Sequence, residues 1–341
     1  MLVDSHCHLD RLDLTEHSGS LDAALDAARQ RGVGHFLCIG VSADNAADVK
    51  ALAERYADVD CSVGVHPLDI KPDAAPALDW LLRELEHPKV VAIGETGLDY
   101  HYEPEAAELQ QASFRLHLQA AGQTGKPVIV HTRGARADTL ALLREAQLPQ
   151  AGVLHCFTED WEMAKAALDL GFYISLSGIV TFRNADALRD VARQVPADRL
   201  LVETDSPYLA PIPHRGKPNL PQYVRDVADY LAMLRGVPYE QFAEQTTENF
   251  KRLFPLACGS RIVGAGFTEA SDRREGGSTE QTVSTGRRLP WNHLRATNRG
   301  QKKTRVLGGE SGLRPLGVKQ RHAVLRYLYR RATWGRCHAD S

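Results

Sequence analysis

No stretch of the 341-residue chain approaches the roughly 18 consecutive apolar residues that a membrane-crossing helix needs. Nor does the N-terminus carry a basic segment followed by an apolar one, since Met1 leads straight into Leu-Val-Asp-Ser-His. Membrane spanning and secretion are not expected. The six cysteines, Cys7, Cys38, Cys61, Cys156, Cys258 and Cys337, include no C-x-x-C pair. Their scatter argues against a zinc ribbon or a disulfide framework and suits reduced thiols in a cytoplasmic protein. Also missing is a G-x-G-x-x-G after the first apolar run, which speaks against a dinucleotide site.

What is present is the composition of an ordinary globular protein, 43% hydrophobic and 25% charged. The formal net charge of -2 conceals two unlike parts. Residues 258–341 hold 17 Lys+Arg against 6 Asp+Glu and 12 of the 27 glycines, leaving 24 against 37 in residues 1–257. Apolar periodicity also fades after Cys258 into Gly, Ser, Thr and Arg, the composition of a disordered segment. Two regions are therefore expected: a folded body over 1–257 and a disordered basic C-terminal extension over 258–341.

Within the body, short β-branched apolar runs alternate with longer amphipathic stretches. Runs ending at Ser5, Gly40, His66, Glu95, His131, His155, Ser177 and Asp205 read as strands, and segments such as Glu105 to Thr124 and Ala137 to Ala146 read as helices. Val128-Ile129-Val130 and Leu200-Leu201-Val202 are continuously apolar, as parallel strands covered on both faces must be. Eight such units in roughly 250 residues predict an α/β fold of the TIM type, a (β/α)8 barrel. Pro218 to Arg235 and Pro238 to Phe254 supply its closing helices.

The chemistry lies at the strand ends. The first strand finishes in His6-Cys7-His8, and alternation along a strand puts both imidazoles on one face with Cys7 on the other. Glu95, His131, His155 and Asp205 close four further runs. In a barrel these ends converge at the C-terminal mouth, where barrel enzymes build their sites. Four histidines and two carboxylates then share one cup, the donor set of a metal centre. A lone catalytic zinc needs about three protein ligands. Six candidates therefore point to two divalent cations, with Glu95 as the natural bridge because a carboxylate has two oxygens to divide. The implied chemistry is hydrolysis by activated water. Mixed nitrogen and oxygen ligands leave the metal open among zinc, manganese and magnesium.

The runs Asp4-Ser-His-Cys-His-Leu-Asp10, Gly64-Val-His-Pro67, Gly94-Glu-Thr-Gly-Leu-Asp99, His131-Thr-Arg133, His155-Cys-Phe157 and Glu203-Thr-Asp-Ser-Pro207 resemble the TatD family of metal-dependent deoxyribonucleases, near its YcfH-like branch of the amidohydrolase superfamily. The resemblance spans about residues 1–257. It implies His6, His8, Glu95 and Asp205 at one metal and Glu95, His131 and His155 at the other. Glu159 stands where the commoner family pattern has Gly.

Other residues are assigned by position. Asp205 is expected both to hold metal and to accept a proton from the attacking water. Glu203, two residues earlier on the same face, is either a proton relay or the partner of a ligand histidine. His66 is expected to contact a substrate phosphate or leaving group, with a hydrogen bond fixing the turn before Pro67 as the alternative. Arg133, His214, Arg215 and Lys217 lie on loops expected to rim the mouth, where a phosphodiester would need cations. Cys7 and Cys156 are expected to point away from the ligands and pack.

The acidic balance of the body does not suit a broad face wrapped on duplex DNA. DNA is expected as substrate through ends or single strands, which a few basic residues near a metal pocket can manage. An ester or amide bond, as in a D-aminoacyl-tRNA, is the alternative target, because the same metals serve either electrophile. In the extension, Arg299-Gly-Gln-Lys-Lys-Thr-Arg305 and Arg326-Tyr-Leu-Tyr-Arg-Arg331 carry the charge and aromatics for nucleic-acid contact.

Overall fold

A computed structural model describes residues 1–71 and 75–258. The expectation for the basic extension falls almost wholly outside these residues. Eight strands, β1 Leu2–Cys7, β2 Val33–Ile39, β3 Val59–Val63, β4 Val90–Asp99, β5 Val128–Arg133, β6 Val153–Leu154, β7 Tyr173–Leu176 and β8 Leu200–Val202, form one parallel sheet in sequence order. The helices between and after them are α1 Leu21–Gln30, α2 Ala46–Arg55, α3 Leu78–Leu85, α4 Ala107–Thr124, α5 Arg136–Ala146, α6 Trp161–Asp169, α7 Asp186–Gln194, α8 Val224–Arg235 and α9 Tyr239–Leu253. The ring closes where the chain just past β8 meets β1: Asp205 N–H donates to His6 O at 2.9 Å and His8 N–H to Ser206 O at 2.8 Å. The expected eight-unit barrel is the observed one.

Strand alternation divides the core in two. Phe36, Cys38, Val128, Val130, Leu200 and Val202 face outward and pack with the helices, whereas Leu37, Ile39, Ile129 and Leu201 fall in a second cluster with Phe250, Leu253 and Phe254 around α9. Both sets are essentially solvent-free. That is why these runs read as continuously apolar rather than alternating. With the second cluster shared between alternate strand positions and α9, the polar residues gather beyond the C-terminal strand ends.

Two strands break register close to the residues that carry chemistry. β1 shifts against β2 between Asp4 and Cys7, and β4 shifts against β5 between Ile93 and Thr96. In β4 the irregularity contains Gly94, at φ +134°, and is followed by a second left-handed glycine, Gly97 at +136°. A side chain at Gly94 would meet Ile129 O at 2.6 Å, so only glycine lets the backbone turn there and present Glu95 to the barrel mouth. Past β8, Asn219 fixes the returning loop, donating to Thr204 O at 2.8 Å and Tyr208 O at 2.5 Å.

Candidate metal centre

His6, His8, Glu95, His155 and Asp205 are buried and His131 nearly so, all at the C-terminal end of the barrel. Their geometry is organised by the two oxygens of Glu95. Oε2 lies 3.5 Å from His6 Nε2 and 3.9 Å from His8 Nε2, while Asp205 Oδ1 stands 3.7 and 3.2 Å from the same two nitrogens. Oε1 faces the other way, 2.9 Å from His155 Nε2, 3.3 Å from His131 Nδ1 and 3.3 Å from His66 Nε2. Ligands on one zinc-sized cation, each about 2.0–2.2 Å from it, stand roughly 3–3.6 Å from one another. The spacings around Oε2, 3.2–3.9 Å, and around Oε1, 2.9–3.3 Å, lie near that range, and the ligand atoms of His6, His8 and Asp205, like those of His66, Glu95 and His131, all lie within 4.8 Å of one another.

The donors fit a cation by a second criterion. Neither ring nitrogen of the fully buried His6 has an aligned hydrogen-bond partner among the described residues. A buried imidazole left that way costs free energy unless something else occupies its lone pair. The surrounding field asks for positive charge. Burial opposes a charge on His155, yet Glu95 and Glu203 outweigh it and push its pKa up to about 10. Burial likewise opposes ionisation of Glu95, but the imidazoles of His155, His66 and His131 hold its carboxyl well below the usual range. Bound cations would satisfy this field in place of protons.

Outer contacts decide which nitrogen of each ring is available. His131 Nε2 lies 3.1 Å from Asp99 Oδ2, so the proton belongs on Nε2 and the Nδ1 lone pair points at the centre. Burial raises the Asp99 carboxyl, but the bond from His131 wins and brings it down to about 2. His155 Nδ1 faces Glu203 Oε1 at 3.4 Å, leaving Nε2 inward; the same oxygen accepts Cys156 N–H at 2.8 Å. Glu203 thus takes the place of a ligand histidine's partner. His66 is reversed: Nδ1 accepts Leu68 N–H at 3.2 Å, so a neutral ring carries its proton on Nε2, toward Glu95. The bond expected to fix the turn before Pro67 is thus present, on a ring whose other nitrogen lies 3.3 Å from Glu95 Oε1.

Asp99 lacks a role in the sequence reading. Its signal was the even spacing from Glu95, which on a strand running to Asp99 puts both carboxylates on one side. Asp205 sits at φ +54°, a left-handed conformation that Asp tolerates better than most residues and that turns its side chain into the mouth. The structure also corrects the direction of Cys156, though the residue does pack against the core. Its φ of +43° breaks strand alternation, and it lines the cleft beside His155, its thiol 3.2 Å from Ser177 Oγ. Cys7 does pack, with its thiol donating to Leu37 O at 3.4 Å.

The cleft above the centre is lined by His66, Leu68, Tyr102, Arg133, Thr158 and Tyr208, among others. Arg133 lies 4.6 Å over the Tyr102 ring. The other three cations expected at the rim are not among its lining residues. Arg215 stacks on Phe182 at 3.7 Å, Lys217 Nζ lies 3.9 Å from Glu16, and His214 stacks on Tyr223 with Nε2 3.6 Å from Asp226. Apolar and acidic neighbours, invisible in a loop without periodicity, have claimed them. Glu159 accepts from Arg136 Nε and Asp160 from Arg136 Nη1, tying the loop after β6 to the start of α5.

Comparison with known proteins agrees with this geometry. A family model described as TatD related DNase matches residues 3–255. The chain is 56% identical over 256 residues to the uncharacterized metal-dependent hydrolase YcfH of Escherichia coli K12, covering 75% of this chain and 96% of that protein. It is 36% identical over 257 residues to the uncharacterized metal-dependent hydrolase YabD of Bacillus subtilis, covering 75% of this chain and all of that one. The crystal structure of YjjV, a TatD homologue from E. coli K12, superposes with a TM-score of 0.69 at 34% identity, covering 74% of this chain and 98% of YjjV. The chain belongs to the TatD-related DNase family and is a metal-dependent hydrolase.

Proposed function

We propose that the protein is a phosphodiesterase that trims DNA from an end, using two divalent cations held side by side. The observation that carries this reading is the division of Glu95, one oxygen toward His6 and His8 and the other toward His131 and His155. Held by these residues, such a pair of cations would supply acidified water at neutral pH and neutralise charge on the attacked phosphoryl group. The protein's own residues do the rest. Asp205 lines the cleft and has an oxygen at the first cluster, so it is placed to take the proton released by attacking water. His66 also lines the cleft, and its Nε2–H, now directed toward Glu95, would be the group to donate to a phosphoryl or leaving oxygen. Glu203 fixes His155, and Arg133, stacked on Tyr102, offers the cleft's guanidinium to a phosphate. Of the cations proposed to bind substrate, Arg133 lines the cleft, which supports that role, while Arg215 and Lys217 would act only on DNA extending beyond the cleft.

The test pairs elemental analysis of the purified protein with hydrolysis of 3′-labelled single-stranded DNA, for wild type and Glu95→Ala. Two ions per chain, end-trimming, and loss of both in the variant are expected. Two ions with intact DNA and turnover of acyl esters would move the site to carbon electrophiles; absence of metal would overturn the reading.

A further inference from the structure

A second cavity, of about 340 Å³, opens among α7, α8, α9 and the first residue of β8. That is the size range of small-ligand sites. Leu200 marks the start of β8, whereas Asp205 lies three residues past its end at Val202, so this cavity lies at the opposite end of the strand from Asp205. Its floor is apolar, with Leu200, Leu234 and Phe242. Its polar groups are two guanidiniums, Arg193 and Arg235, two amides, Gln241 and Gln245, and the Thr246 hydroxyl, which donates to Phe242 O; among the described residues no carboxylate lines it.

Arg235 is the unusual member. It is half-buried, and desolvation lowers its pKa from the ordinary arginine value. Among the described residues its partner is the Ala192 carbonyl, reached by Nη1, and no carboxylate pairs with it. Arg31, similarly half-buried, has Asp226 at 2.6 Å. A guanidinium has five N–H donors, so most of those on Arg235 have no acceptor among the described residues. Arg193 is satisfied on one side by Asp190 at 2.6 Å, one turn back on α7. Gln245 donates to Asn249 Oδ1 at 2.9 Å and keeps its carbonyl, while the Gln241 amide has no hydrogen-bond partner among the described residues.

A half-buried guanidinium with no carboxylate partner among the described residues, Arg235, lining one cavity with the Asp190-paired Arg193, apolar side chains and two glutamine amides, is complementary to a phosphorylated anion with an aromatic body. We propose that this cavity binds a nucleoside monophosphate: the guanidiniums take the phosphate, Phe242 and Leu234 the base, and the glutamine amides its polar edge. The choice of nucleotide rests on the phosphodiesterase reading, whereas the anion site does not.

The experiment titrates dAMP, deoxyadenosine and inorganic phosphate separately into the full chain by calorimetry. The same titrations are made with Glu95→Ala, Arg235→Gln and Ala197→Phe, the last of which places bulk among the lining residues. Saturable dAMP binding is expected, retained within about twofold in Glu95→Ala. It should weaken at least tenfold in both cavity variants, with an unchanged thermal midpoint showing each is folded. Deoxyadenosine and phosphate should each bind at least tenfold more weakly than dAMP. Binding lost in Glu95→Ala but kept in Arg235→Gln would place the nucleotide at the metal centre and overturn the proposal. So would phosphate binding as tightly as dAMP, which marks an adventitious ion only, or no saturable binding. Because calorimetry needs no turnover, dAMP binding by a protein that leaves DNA intact would sink the phosphodiesterase reading and keep the anion site.

Discussion

Asp99 Oδ2 lies 3.1 Å from His131 Nε2, and the opposite nitrogen of that ring is 3.3 Å from Glu95 Oε1. One carboxylate therefore sets which lone pair the ring offers to the other. Replacing Asp99 with Asn lets the amide face either way and removes the charge that holds the His131 proton outward. Loss of such an outer partner typically costs 10–100-fold in metal affinity. Asp99→Asn is expected to release metal to a chelator at about that much lower concentration, with its fold intact by circular dichroism. Unchanged chelator sensitivity would mean that His131 orients itself.

Glu203 makes a sharper case, because a relay and a ligand's partner give different results. Its Oε1 is already engaged by Cys156 N–H and faces His155 Nδ1. Glu203→Gln is thus expected to lower metal affinity about 10–100-fold, with kcat restored to within roughly tenfold of wild type by excess metal. A kcat that stays several orders of magnitude down at saturating metal, with the basic limb of the pH profile changed, would restore the relay.

The barrel was legible because parallel strands buried on both faces favour apolar runs such as Val128-Ile129-Val130 and Leu200-Leu201-Val202, and each of the eight runs overlaps its observed strand, several ending one to three residues beyond it. The six donor residues were legible because they terminate those runs. Legibility failed where backbone departs from alternation. Cys156 follows strand parity on paper but turns at a left-handed φ, and Asp99 lies beyond Glu95 on a strand that reads as finished there. Arg215 and Lys217 sit on a loop where no period constrains direction, and their neighbours Phe182 and Glu16 are distant in sequence.

Away from the metal centre, His35 Nε2 lies 3.0 Å from Asp60 Oδ2 in a buried pair. Burial opposes the imidazolium, but Asp60 and Cys258 outweigh it and raise the pKa from 6.5 to about 9. A raised folded pKa stabilises when the ring is protonated. The contribution is complete below about pH 6.5 and is lost as pH rises through about 9. Its ceiling is about 3 kcal/mol. The thermal midpoint of wild type should fall across this window relative to His35→Gln, which lacks the titrating group. Parallel curves would show that the pair carries no net charge effect.

Asn219 is fully buried and bonds three backbone groups: the carbonyls of Thr204 and Tyr208 and the N–H of Leu220. Asn219→Leu leaves all three unsatisfied, at about 1–3 kcal/mol each before relaxation. Because Thr204 adjoins Asp205, the loss should reach the site as well as the fold. A drop of several degrees in the thermal midpoint and weaker metal retention are expected together. Destabilisation with unchanged metal affinity would show that Asp205 is held by its own bonds to His6 and Tyr208.

The basic extension bears on function only if the barrel needs it. Every residue of the proposed ligand set lies between His6 and Asp205, and the family match ends at residue 255. The last bond from the far end of the described chain runs from Cys258 N–H to Asp60 Oδ2 at 3.0 Å, on the pair that includes His35. A chain ending after Cys258 keeps that bond, whereas one ending at 257 loses it. The longer truncation product should hydrolyse a short single-stranded DNA with kcat unchanged, and the shorter should do the same while showing a shallower fall of thermal midpoint between pH 6.5 and 9. If the 17 Lys+Arg in 258–341 contribute to long substrates by counterion release, removing them should raise KM for a long strand and flatten its salt dependence without touching kcat. A large loss of kcat on the short strand in both truncations would instead make the extension part of the catalytic machinery.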